Sequence, residues 1–153
     1  MTSTRGGALL NYTTSIEASK TLGEIMGILQ AHRVRAINTL YANDGCVSGL
    51  AFEVAVNGTP LYFKLPARIE AVEKVMEIQR KQGKMRPGLV NREQATRVAW
   101  RILKDWVEAQ MALIDTGMVQ MQEVFLPYML ADKEGRTVYE IMEGGRFLLA
   151  EPQ

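Results

Sequence analysis

The chain has 153 residues, 47% of them hydrophobic, with 18 Lys and Arg against 17 Asp and Glu. That size and composition fit one globular domain burying roughly 70% of its extended surface, and exclude a disordered chain. One cysteine, Cys46, excludes an internal disulfide and a cysteine-based zinc site, and no apolar run approaches the ~20 residues of a membrane span.

Leu9 to Thr14 reads as a short first strand. Thr21 with Glu24 has capping-box spacing and opens a helix over Leu22–His32, with Leu22, Ile25, Met26, Ile28 and Leu29 on its apolar side. Val34–Ala42 is β-branched and aromatic enough for a second strand. Asn43-Asp44-Gly45 is a hairpin turn, because Asp-Gly readily takes the positive φ of a tight connection. Cys46–Val56 follows as a third strand, with Leu50, Phe52, Val54 and Val56 alternating against smaller or polar residues. Asn57-Gly58 is a second turn, Leu61–Leu65 a fourth strand, and Pro66 ends it.

An amphipathic helix starts near Ala67 and carries Ile69, Val72, Val75 and Met76. Gly83 to Val90, with Pro87-Gly88, is a loop; Asn91 then caps the longest helix, about Arg92 to Thr116, which Gly117 closes. Met118–Leu130 reads as another helix, kinked or shortened at Pro127. A polar turn over 131–136, a short element over Thr137–Glu143 and an apolar tail, Phe147–Ala150, complete the chain. The order β-α-β-β-β-α followed by helices predicts an α+β fold: a small antiparallel sheet of about four strands with a helical C-terminal half. The whole of 1–153 reads as a single domain, 1–84 its α+β part and 91–153 its helical part. Ala95, Ala99, Ile102, Trp106, Ala109 and Leu113 are spaced like a heptad seam, which serves either intramolecular packing or a homodimer interface.

Charge is unevenly placed. Residues 1–63 are neutral, 64–104 carry eleven Lys and Arg against four Glu (net +7), and 105–153 carry three against nine (net −6). A basic middle segment containing Trp100 suggests a polyanion-binding surface. At 100° per residue, Arg97, Arg101 and Lys104 lie opposite the seam with Trp100 at its border, where an indole can stack on a base while cations meet phosphates. The alternative is that Trp100 completes the core edge and the charges pair with neighbours such as Glu93 and Glu108. Arg80, Lys81, Lys84 and Arg86 extend the patch along the preceding loop. A second cluster is the outer sheet face: with Leu50, Phe52, Leu61, Phe63 and Leu65 inward, Tyr62 and Lys64 face out. Arg35, Thr39 and Tyr41 are candidates for the same face, as is Tyr12 on the first strand. That face is either an open stacking platform or one covered by the C-terminal helices.

Signatures of catalysis are thin. Gly6-Gly7 and Gly144-Gly145 lack the Lys-Ser/Thr of a phosphate loop. His32, the single histidine, sits near a helix C-terminus where a cation complements the dipole, and Cys46 opens a strand as a small hydrophobe. Glu70, Glu73 and Glu77 share a helix with Lys74, Arg80 and Lys81, the pattern of a solvated, salt-bridged surface. No enzyme activity, cofactor or metal is expected. The first ten residues lack the apolar stretch of a secretory signal, and the expected location is cytoplasmic.

Residues 10–14 (Leu-Asn-Tyr-Thr-Thr), 63–66 (Phe-Lys-Leu-Pro), 92–110 (around Arg97-Val98-Ala99-Trp100-Arg101) and 125–129 (Phe-Leu-Pro-Tyr-Met) resemble a family of short phage and prophage proteins with no assigned activity. The likeness spans nearly the whole chain. It implies an origin and no mechanism, and it draws attention to phage nucleic acid and to host defence complexes. Two functional expectations follow. One is a non-catalytic, homodimeric protein binding single-stranded DNA or RNA, with Arg80, Lys81, Lys84, Arg86, Arg97, Arg101 and Lys104 on phosphates and Trp100, Tyr62 and Tyr41 on bases. The other is a protein-interaction module that inhibits or assembles a host or phage complex, using Asp132, Glu134, Glu140, Glu143 and Glu151. A nucleotide-sequestering protein is a third, needing a closed pocket and few cations.

Overall fold

The structure, a computed structural model, is described for residues 7–146, so the apolar tail Phe147–Ala150 and Glu151 lie outside the described residues. The elements are α1 (Ala18–Gln30), β1 (Val34–Tyr41), β2 (Val47–Val56), β3 (Thr59–Pro66), α2 (Ile69–Lys81), α3 (Arg92–Asp115), α4 (Met121–Val124) and α5 (Val138–Gly144), with 3-10 turns at Pro87–Leu89 and Leu126–Tyr128. The fold is α+β. β1, β2 and β3 form an antiparallel meander. Both hairpins are made where turn chemistry demands: Gly45 has φ 86°, and Asn57 and Gly58 have φ 52° and 81°.

Among the described residues there are three strands, not four. The segment expected as a first strand turns back on itself, with Asn11 at φ 66° and bonds from Tyr12 N to Leu9 O and Thr14 N to Asn11 O. Its remaining polar groups are satisfied by helices instead of a sheet. Leu9 N donates to Gln79 Oε1 at 2.8 Å, and the Gln94 amide donates to the carbonyls of Tyr12 and Thr14. Tyr12 is therefore on no strand. Thr21 is not a cap either: α1 begins three residues earlier, after Glu17, and Thr21 is fully buried. The helix expected over 118–130 is reduced to α4 and a 3-10 turn, because Pro127 lacks the N–H that a continuing helix requires.

One sheet face carries the core. Leu50, Phe52, Val54, Phe63 and Leu65 pack against Leu22, Ile25 and Leu29 of α1, and against Trp100, Val107 and Met111 of α3. Phe125 closes this cluster with its ring centroid 5.6 Å from Phe52 and 5.5 Å from Trp106. A second cluster joins Ile69 and Met76 of α2, Met85 of the following loop, and Ala95, Val98 and Ala99 of α3. Helix α3 is thus buried on two sides, by α1 and by α2. The heptad-like seam lies inside the molecule over its first half: Ala95 and Ala99 are buried, and Ile102 and Trp106 pack against the two clusters. Ala109, further along, is exposed.

Candidate nucleic-acid interface

The expected α3 cluster is a structural lattice. Trp100 is fully enclosed, and its Nε1–H donates to the Val47 carbonyl at 3.0 Å, so it presents no face to a base. Arg97 donates to Glu17 and Glu93, at 2.9 and 2.7 Å, and to Gln94. Arg101 is bound to Glu24 and to the buried hydroxyl of Thr21; Lys104 pairs with Glu108. These three cations are each 20% exposed or less, and they fasten α3 to α1 and to itself. Arg80 likewise pairs with Glu77. Arg92 lies at the centre of Asp44, Glu70 and Glu73, so the glutamate face of α2 is salt-bridged as its pattern suggests. Asp44 is held below the usual carboxylate range by the Cys46 backbone N–H and then by Arg92.

The loop cations differ. Lys81 and Arg86 are exposed and Lys84 is half-buried, and none forms an ion pair among the described residues. Met85 is 5% exposed and anchors the loop between Lys84 and Arg86.

The outer sheet face is open. Cross-strand partners share a face, and the register places Ala36 and Asn38 beside Glu53 and Ala51, which in turn face Tyr62 and Lys64. Thr39 opposes Leu50 and so belongs to the core face, a correction to the expected grouping. Arg35 sits at a register shift and reaches Glu53 at 3.6 Å. Tyr62 is 48% exposed, and its hydroxyl is directed at Glu53, which raises its pKa. Tyr41 is 65% exposed but opposes Val47, six residues along β2 from Glu53 and on the other edge strand. At 3.3 Å per residue that is roughly 20 Å, so Tyr41 and Tyr62 do not form one platform.

A different assembly gathers rings and free cations. Where β3 hands over to α2, Lys64 is half-buried and Arg68 is the exposed residue preceding α2. Both act electrostatically on Glu140, and neither forms an ion pair among the described residues. Opposite them, α3 supplies Trp106, the 3-10 turn supplies Tyr128, and α5 supplies Tyr139, Glu140 and Glu143. With Arg68 they enclose a cleft of about 620 Å³. An adjoining recess of about 220 Å³ is lined by Lys64 and Arg68 with Tyr128 and Glu140. Backbone bonds fix this far wall: Leu130 N donates to Tyr62 O at 2.8 Å, Val138 N to Met129 O at 2.9 Å, and Met129 bridges to Phe63.

Within the cleft, Trp106 and Tyr128 meet edge to face at 5.8 Å. Glu140 is committed to a capping box, accepting from Thr137 N and Oγ1, and these bonds hold its carboxyl below its ordinary value. Glu143 receives the Tyr139 hydroxyl, which raises that phenol's pKa. No protein-family model, curated protein or solved structure matches the chain. Its chemistry is therefore read from these residues alone.

Of the expected site, the adjoining recess contains Lys64. Arg68, Trp106, Tyr128 and Tyr139 were not anticipated, because they come from four separate segments. Arg68, directly after the strand-ending Pro66-Ala67, was the one with a local signal. Among the described residues no group of three His, Cys, Asp or Glu is placed to hold a metal ion. His32 bridges the ends of two helices, bonding Ile28 O at 2.7 Å and Asp115 at 2.9 Å. No helix among the described residues is long and apolar enough to cross a membrane.

Proposed function

We propose that this is a non-catalytic protein binding single-stranded DNA or RNA, and that its contact surface is the cleft between β3, α3 and α5. The observation that carries this reading is the pairing of two cations that form no ion pair among the described residues, Lys64 and Arg68, with the rings of Trp106, Tyr128 and Tyr139. Unstacked bases bind on aromatic faces, at about 1–3 kcal/mol each, while neighbouring cations take the phosphates. Lys81, Lys84 and Arg86 lie at the other end of α2, about 18 Å away at 1.5 Å per residue, and extend the phosphate track. The resemblance to phage and prophage proteins is consistent with a nucleic-acid ligand.

The test is fluorescence anisotropy of labelled single-stranded DNA, RNA and duplex at low and moderate salt. Salt-sensitive binding that favours single strands is the expected result. Absence of binding at low salt, where attraction is strongest, refutes the proposal.

One observation favours the second reading, a protein-interaction module. Val75 and Ile78 are exposed on α2, one turn apart and beside Lys74 and Lys81. Recovery of a stoichiometric, nuclease-insensitive protein partner that is lost on Val75→Lys/Ile78→Lys would move that reading to first place.

A further inference from the structure

We infer that the cleft receives one unstacked base of guanine type, its hydrogen-bonding edge on Glu143 and its phosphate in the Lys64/Arg68 recess. This rests on the nucleic-acid reading and narrows it to a ligand class. The cleft is chemically polarised. Its smaller compartment, about 220 Å³, contains both cations. Its larger one, about 620 Å³, has Trp106 and Tyr128 on its wall and two carboxylates from α5, and this volume is within the roughly 300–1,000 Å³ of small-ligand sites. Arg68 and Glu140 line both compartments, while Lys64 lines only the smaller and Glu143 only the larger, so a phosphate is drawn toward the Lys64 end and away from Glu143.

The carboxylates then select the base. Glu140 is partly committed: its Oε1 accepts from Thr137 N and Oγ1, each at 3.1 Å, and Lys64 and Arg68 act on its charge. Glu143 lies one turn further on, is exposed, and receives the Tyr139 hydroxyl. An ionised carboxylate offers about four lone-pair sites and donates nothing, so Glu143 retains capacity for two more N–H donors. Guanine presents N1–H and the N2 amino group side by side on one edge. Adenine and cytosine present an amino group next to a ring acceptor. Uracil presents N3–H between two carbonyls, both of which the carboxylate repels. The arrangement therefore ranks guanine first and uracil last.

The experiment titrates the full chain with GMP, AMP, CMP, UMP, guanosine and inorganic phosphate, followed by calorimetry and by tryptophan emission. Trp106 lines the cleft and Trp100 is enclosed. The expected result is GMP binding at least about tenfold tighter than UMP, the discrimination of one good bidentate contact. Guanosine and phosphate alone should each bind more weakly than GMP. Glu143→Gln, which replaces one acceptor with a donor at an exposed position, should abolish the GMP preference without changing the melting temperature. Equal affinity for the four nucleotides, or a GMP preference that survives Glu143→Gln, overturns the inference. Oligonucleotide binding with no mononucleotide binding overturns it too, while leaving the strand-binding proposal standing. If neither class binds, both fall.

Discussion

Trp100→Phe separates a structural tryptophan from a stacking one. The substitution keeps an aromatic ring but removes the N–H bonded to Val47 O at 3.0 Å, next to the register shift between β1 and β2. Depriving a partly buried carbonyl of that partner costs about 1–2 kcal/mol. The lost ring volume, in a side chain with no exposed surface, adds about 1 kcal/mol through the void it leaves. The total of about 2–3 kcal/mol, at 2–4 °C per kcal/mol for a chain of this length, lowers the melting temperature by about 5–10 °C. Phe is preferable to Ala, because truncating a buried Trp to Ala costs about 3–5 kcal/mol and risks a chain that does not fold.

Circular dichroism melts of both proteins measure the loss, and anisotropy on the same samples, well below either transition, measures strand binding. The expected outcome is a lower melting temperature with unchanged affinity and unchanged salt slope. An unchanged melting temperature accompanied by weakened binding would refute the reasoning and return Trp100 to the surface.

Arg97→Ala/Arg101→Ala should act the same way. Loss of the Arg101 bonds to Thr21 and Glu24 alone costs about 1–2 kcal/mol, a drop of about 5 °C, with the salt slope unaltered; a flatter slope would make these cations phosphate contacts after all. Lys64→Gln/Arg68→Gln should do the reverse, reducing the slope of log K against log salt by about 1.4 at ~0.7 per single-strand phosphate contact, with the melt unchanged. Acid should weaken the fold at the Arg92 cluster. Asp44 is held below 3.8 by the Cys46 N–H and Arg92, and Glu70 below 4.5 by its own backbone N–H and Arg92. The unfolded chain therefore binds more protons near pH 4, so this stability is complete above about pH 4.5 and is lost as pH falls through the lowered values. Melting temperatures from pH 7 to 3 should fall below pH 4.5, and Arg92→Met should flatten part of that fall.

The sheet was legible wherever local chemistry decides. Gly45, Asn57 and Gly58 take the positive φ their residue types permit, and the alternation of Leu50, Phe52 and Val54 reports the buried face directly. Asn91 caps α3 through a 2.8 Å bond from Gln94 N, as its position before the helix implies. Legibility ended where distant groups compete for the backbone. Leu9–Thr14 has strand-like residues, but Gln79 and Gln94, some 70 to 80 positions away, take its polar groups.

Segment charge misled for the same reason. A sum over 64–104 measures surface potential only if the countercharges lie in the same segment. The partners of Arg92, Arg97 and Arg101 include Asp44, Glu17 and Glu24, all from the neutral first third of the chain. Pairing across the fold turns an apparent polyanion site into the fastening between α1 and α3. The projection of α3 failed with it: one apolar stripe presumes one packed side, whereas α1 and α2 bury two, and the wider arc takes in Trp100. What remains for a ligand is defined by which cations the fold leaves without a carboxylate. Among the described residues, Lys64 and Arg68 are two such cations set beside aromatic rings, and those rings come from segments whose proximity only the folded chain creates.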